Sequence, residues 1–416
     1  MSRRNFILLL IILIIVTISA LLFLYFKQPT SLDGEDGGGF FQNLNPFSGV
    51  KDVPPNTTPS DNTPDTTDTT TPDNVQERIL MKVSTMPIAG FTVFQKEKVE
   101  KEFVPALRYV ARATGYVYQT FVDQIAEKRF SNTIIPKVYE AVLGNNGEAV
   151  VMRYLKSDEQ TIQTFLGTLP KEKLGEEPSG NEKIEGSFLP DNISDLSLSY
   201  DGTKIFYLLN TSENVSGITL NLSDNKKTQV FDSRFTEWLS FWPNSKMITL
   251  TTKPSGTATG YMYAVDPSRK DLNRILDNIN GLMTLTSPNG KLVLYSNSGL
   301  ALNVYDIESR SSNSLGLRTV AEKCVWGKGS DVVYCAIPKL VSGGIYPDRW
   351  HKGETSFSDE IWKINIESGV TTKLIDPISV AGGEEVDGIK LMLDNNEDYL
   401  FFVNKKDSYL WKLDLE

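Results

Sequence analysis

Ser287-Pro288-Asn289-Gly290-Lys291, followed at once by the apolar run Leu292 to Tyr295, is the stretch on which the fold turns. It reads as a tight turn feeding a short strand, and it recurs. Ser199-Tyr200-Asp201-Gly202-Thr203-Lys204, Trp242-Pro243-Asn244-Ser245-Lys246 and Gly327-Lys328-Gly329-Ser330-Asp331 each follow one apolar run and precede another. With Gly202, Ser245, Gly290 and Ser330 taken as equivalent, the steps are 43, 45 and 40 residues, the blade period of a β-propeller. A second landmark keeps the same spacing. Met262 to Asp266, Leu302 to Asp306, Ile361 to Asn365 and Leu410 to Asp414 are alternating strands that end in Asp or Asn.

Working outward, weaker copies lie around the turn Gly144-Asn145-Asn146-Gly147 and over Leu107 to Ser131, and Ile389 to Asp414 makes the last. The expected class is all-β, a seven-bladed β-propeller over 78–416, with blades at 85–132, 137–190, 193–232, 235–277, 280–316, 319–376 and 386–416. The degenerate first two copies leave six or eight blades open. The last repeat holds three strands, and Arg78 to Ser84 has β character, so that segment is expected to supply the fourth strand and close the ring.

The turn at Ser287 to Lys291 with its following strand, and Ile361-Trp362-Lys363-Ile364-Asn365-Ile366-Glu367-Ser368-Gly369 with Leu374 downstream, resemble the WD40-like repeats of TolB-type propellers. The resemblance covers 193–416 well and 85–190 poorly. It implies a propeller without the separate α/β domain that precedes the ring in TolB itself. The whole chain is also similar to bacterial membrane-anchored propeller proteins, a likeness that implies no activity.

Ahead of the repeats, Phe6 to Phe26 is a run of 21 residues without a charge. At about 1.5 Å per residue such a helix matches the roughly 30 Å hydrocarbon layer of a bilayer. Residues 1–27 are therefore expected to be a cytoplasmic tip and an uncleaved signal anchor, since Ile18-Ser19-Ala20 is followed directly by more apolar residues. Arg3 and Arg4 before the run, and an acid-rich segment after Lys27, place the C-terminal part outside the cytoplasm at the cell envelope. Residues 28–77 include PPNTTPSDNTPDTTDTTTPDN at 54–74 and read as a disordered tether. The formal net charge of -10 is concentrated there, because Lys51 is the only base among nine acidic residues. No basic groove with interleaved aromatics remains, so nucleic acid is not an expected partner.

Few motifs carry chemistry. His351 is the only histidine, which excludes a His-rich metal site and the HExxH helix; GxSxG and GxxxxGK[ST] are also missing, and no cofactor is called for. Cys324 and Cys335 fall opposite each other in the register that pairs Trp326 with Val333, as a disulfide or as two buried thiols. The sixth repeat carries the insertion PKLVSGGIYPDRWHKGETSFSD at 338–359. Its Tyr346, Asp348, Arg349, Trp350, His351 and Lys352 are the candidate ligand-binding residues; the competing reading is an ordered loop plugged by Trp350. Two acidic groups, Glu384, Glu385 and Asp387, and Asp394, Glu397 and Asp398, sit among turn residues and read as solvated.

The function expected from these observations is a noncatalytic module that binds an envelope protein or glycan through its insertion-bearing face. The alternative is a carboxylate-dependent, glycan-acting enzyme with two acids converging near the channel mouth. A third reading is a structural subunit of an envelope complex.

Overall fold

The recurrent turn keeps one geometry from blade to blade. In the computed structural model, which describes residues 80–97, 103–123, 126–171, 179–380 and 382–415, Ser287 N–H donates to the Leu292 carbonyl at 2.8 Å and Gly290 N–H to the Ser287 carbonyl at 2.9 Å. Ser199, Lys204 and Gly202 repeat this pattern, as do Gly327, Val332 and Ser330. Gly202, Gly290 and Ser330 occupy the left-handed region at φ of 69°, 72° and 65°. That position favours glycine, and the Asx residue before it does the rest. Asp201 accepts from Thr203 N–H and Asn289 from Lys291 N–H, while the Ser199 and Ser287 hydroxyls accept from Lys204 and Leu292 N–H. The fourth copy is tighter, with Asn244 paired directly to Met247.

The second landmark has an equally local cause. Asp266, Asp306 and Asn365 accept backbone N–H bonds from Ser268, Ser309 and Ser368 at 2.7–2.8 Å, ending the third strand and starting the turn into the fourth.

Seven four-stranded antiparallel sheets result. Blade 1 spans 88–129, blade 2 138–188, blade 3 193–233, blade 4 238–280, blade 5 283–318 and blade 6 324–375. Blade 7 takes three strands from 388–414 and its fourth from Leu80–Lys82, with Leu80 opposite Leu413 and Lys82 opposite Trp411. The first strand of each blade is its inner edge, and these inner strands neighbour one another around the axis.

Buried apolar side chains form seven groups among the described residues, one at each junction between neighbouring blades. Phe206 and Leu208 of blade 3 meet Trp238 and Ile248 of blade 4, and Phe401, Val403 and Leu410 of blade 7 meet Leu107 and Tyr109 of blade 1. The core is thus a ring of sheet-to-sheet contacts, and closure supplies its last member.

Where inner strands approach most closely, side chains are excluded. A Cβ at Gly90, on the inner strand Ile88–Glu97, would fall well within contact distance of the Ala141 carbonyl of blade 2. Gly90→Ala should therefore lower stability by about 1–3 kcal/mol through overpacking of the junction, read as a shift in urea midpoint at unchanged slope.

The described residues belong to a compact unit, Pro72–Glu416. Among them no helix is long and apolar enough to cross a membrane. The expected anchor at Phe6 to Phe26, the tether at 28–77 and the first two residues of Arg78 to Ser84 lie outside the described residues.

Candidate functional site

The blade 6 insertion runs between the strands Val332–Pro338 and Asp359–Asn365. Its aromatic residues point inward. Trp350 is 1% exposed and Tyr346 2%, the latter donating its hydroxyl to the Ser342 carbonyl at 3.0 Å. Asp348 accepts from Ser255 Oγ at 2.9 Å and Gly256 N at 2.6 Å, which ties the insertion to blade 4. Partial burial works to raise the Asp348 pKa, but these two donors outweigh it and hold the carboxyl below its ordinary value. Arg349 donates to the Gly343 carbonyl at 3.0 Å, and His351 Nε2 lies 3.0 Å from Glu322 Oε1. Lys352 is exposed. Of the six expected ligand-face residues, then, Tyr346, Asp348 and Trp350 hold the loop together, and Arg349, His351 and Lys352 decorate it.

Beneath the loop lies a charged cluster with no solvent exposure. Lys323 Nζ stands 2.6 Å from Asp359 Oδ2 and 2.6 Å from Asp387 Oδ1. Asp387 also takes Trp350 Nε1, Phe357 N–H and Ser356 Oγ, and Asp359 Oδ2 takes Gly388 N–H. One ammonium cannot balance two carboxylates, and the pair divides accordingly. Burial pushes Asp359 up to about 6 despite Lys323, whereas for Asp387 the lysine, with Phe357 N–H and Trp350 Nε1, overcomes burial and lowers the pKa. Asp387 was expected in a solvated turn; it is instead the clasp between the insertion and blade 7. Asp394, likewise expected to be solvated, is 1% exposed because it caps its own turn, accepting from Tyr399 and Asn396 N–H. Glu384 pairs with Lys82, Glu385 with Lys406, and Glu397 accepts Lys328 N–H.

Cys324, next in chain to Lys323, is paired with Cys335 in register and joined to it as a disulfide. For cysteines separated by 11 residues, reduction should lower stability by about 2–3 kcal/mol in the loop-entropy picture, measurable as unfolding midpoints with and without reductant.

A different acid pair stands nearer the axis. Glu140 lies on the inner strand Val138–Gly144 of blade 2, and Asp195 on the inner strand Ile193–Leu198 of blade 3. Glu140 is opposite Arg153 and ion-paired with it, and the other guanidinium nitrogen donates to the Ile193 carbonyl. Asp195 Oδ2 accepts from Ser240 N at 2.7 Å and from Ser240 Oγ at 2.6 Å, with Ser197 Oγ 2.9 Å beyond. Burial pushes the Asp195 carboxyl up to about 6; Ser240 pulls it back, and the Glu140 charge adds to the rise. Two polar atoms beside the pair, Tyr139 Oη and Arg153 Nε, are buried without a hydrogen-bond partner. Such atoms call for water or a ligand.

Lys390, on the inner strand Gly388–Leu393 of blade 7, is within electrostatic reach of Glu140 and of Arg112. Its Nζ donates to the Ala89 carbonyl at 2.9 Å, and burial lowers its pKa, opposed by Glu140 and reinforced by Arg112. By surface area Lys390 is exposed, yet the protein around it is dense enough to desolvate it.

Arg112 leads outward into a cleft of about 710 Å³ between blades 1, 2 and 7, lined by Met86, Pro87, Tyr116, Tyr118, Lys137 and Lys405 among others. Two acids within electrostatic reach of each other thus lie on inner strands of blades 2 and 3, and a cation-rimmed cleft lies between blades 1, 2 and 7. No grouping of His, Cys, Asp and Glu among the described residues has the form of a metal site.

Local motif reading missed Glu140 and Asp195 because they belong to different blades, 55 positions apart in chain. A usable signal was present, namely an acidic residue inside each of two inner-edge strands, VYEAVLG and ISDLSL.

No protein-family model matches the chain, and no curated protein matches it significantly. Among solved structures, oligogalacturonate lyase from Vibrio parahaemolyticus aligns over 83% of this chain and 95% of its own, at 7% identity and TM-score 0.52. The tricorn protease aligns over 82% of this chain and 34% of its own, at 10% identity and TM-score 0.48. At such identities the likeness shows the seven-bladed fold and no finer TolB-type membership. It does correct the expected function. The lyase is an enzyme on a propeller scaffold, so the step from "no legible catalytic motif" to "noncatalytic binding module" fails.

Proposed function

We propose that this chain is a glycan-cleaving enzyme that uses Asp195 and Glu140 as its carboxylate pair. The observation that carries the reading is the separation of their environments on adjacent inner strands. Asp195 is pushed up to about 6 by burial and can deliver a proton near neutrality, while Glu140 is ion-paired with the Arg153 guanidinium. Glycoside cleavage requires such a division, one acid to protonate the leaving oxygen and one carboxylate to act as base or nucleophile. The name of the similar lyase, which gives a sugar oligomer as its substrate, supports a glycan as substrate class. An extracytoplasmic position follows from the uncharged run Phe6 to Phe26 behind Arg3 and Arg4, with the membrane as partner through that run.

The test is incubation of the full chain with a panel of neutral and acidic oligosaccharides, with products read by mass spectrometry. Fragments whose masses sum to the substrate plus one water are expected. Absence of cleavage across the panel, or cleavage unchanged in Asp195→Asn and Glu140→Gln, would overturn the reading.

A further inference from the structure

We propose that the cleft between blades 1, 2 and 7 binds an acidic oligosaccharide, with Arg112 and Lys137 taking the sugar carboxylates. The inference rests on the glycan reading above and names its substrate class.

Four cations stand at this cleft, Arg112, Lys137, Lys405 and Lys406, against Asp407 as its one acidic lining residue. Two of them are already engaged. Lys406 is paired with Glu385, and Lys405 donates to the Trp350 carbonyl at 2.8 Å while sitting over the Trp350 ring. Asp407 faces Lys82 at 3.9 Å. Among the described residues the Arg112 guanidinium donates only to the Ser408 hydroxyl, at 2.8 Å, and neither Arg112 nor Lys137 has an ion-pair partner. Both are exposed. Arg112 thus keeps guanidinium donors for a planar, two-oxygen acceptor, which a carboxylate presents and a hydroxyl does not.

The floor is apolar and aromatic, with Met86, Pro87, Tyr116 and Tyr118 offering surface for the C–H faces of sugar rings. At about 710 Å³ the space is within the usual range for small-ligand sites. The walls are preassembled. Arg112 N–H bonds the Pro87 carbonyl at 3.0 Å, Val138 N–H the Arg112 carbonyl at 2.9 Å, and Ile88 N–H the Ser408 carbonyl at 2.8 Å, so all three blades hold the cleft in one shape. Val138, at the cleft, lies two residues from Glu140 on the same strand.

Binding can be read without turnover in the full chain carrying Asp195→Asn. Titration calorimetry with a linear tri-uronic acid should give a dissociation constant at least about tenfold tighter than with its methyl ester, and Arg112→Gln combined with Lys137→Gln should abolish that difference. Added salt should weaken the acid and spare the ester. Equal affinity for acid and ester, no binding of the acid, or full retention in the double variant would overturn the inference. Catalysis is scored separately. Cleavage of a glycan with charge-indifferent binding would sink this inference and leave the enzyme reading standing, whereas charge-dependent binding without cleavage of any oligosaccharide would do the reverse.

Discussion

Replacing Lys323 with methionine is expected to lower the unfolding free energy by about 3–5 kcal/mol, the cost of stranding buried carboxylates without their cation. The ammonium is 2.6 Å from both Asp359 and Asp387 at zero exposure, with the Phe357 ring 4.7 Å from the charge on another side, so water cannot replace it. The loss should also free the insertion, because Asp387 is the group that receives Trp350, Ser356 and Phe357. Limited proteolysis should then cut within 339–358 before the rest of the ring opens. Asp359→Asn should cost much less, since burial disfavours the charge that the substitution removes and the Asp359 Oδ1 has no partner among the described residues. The pH dependence has a definite sign. A carboxyl whose pKa is raised on folding binds more protons in the folded state between about 3.9 and 6, so stability contributed by Asp359 declines as pH rises through that window. Urea melts of wild type and Asp359→Asn from pH 4 to 7 should converge at the acid end. A methionine variant as stable as wild type would show that the cluster contributes little net energy.

Asp195→Asn is expected to reduce glycan cleavage by about 10²–10⁴-fold, the usual range for a general acid, with little change in substrate binding. Asparagine can still accept the Ser240 N–H and hydroxyl bonds, so the fold should survive. In the wild type, activity should fall as pH rises through about 6, because the proton needed by the leaving oxygen is then lost. Glu140→Gln should depress activity as well and shift that limb to lower pH, since the nearby Glu140 charge helps to raise Asp195. A variant at residue 195 that retains wild-type rates, or a pH profile flat between 5 and 8, would place the chemistry elsewhere.

Why one acid pair was legible only in three dimensions, while the ring itself could be read along the chain, comes down to the range of the forces involved. The 40–45 residue spacing of Gly202, Ser245, Gly290 and Ser330 predicts the blades because each turn is a local device. Ser or Asx oxygens satisfy N–H groups two to five residues away, and a left-handed residue follows. Register between Cys324 and Cys335 was legible for the same reason, since a hairpin turn fixes which residues face each other. Even closure followed locally, from three strands in the last repeat and β character near Leu80.

The insertion is a different case. A long loop must bury apolar surface to be ordered, and Tyr346 and Trp350 supply it. Nothing in PKLVSGGIYPDRWHKGETSFSD announces Lys323 or Asp387, the partners that turn Trp350 inward from outside the insertion. Likewise Arg112, Lys137 and Lys405 are scattered over nearly 300 positions and become one rim only where blades 1, 2 and 7 meet. Local hydrogen bonding therefore determined the fold from the sequence alone. Burial and charge pairing act between residues made neighbours by ring closure, and they decided the site in the tertiary structure.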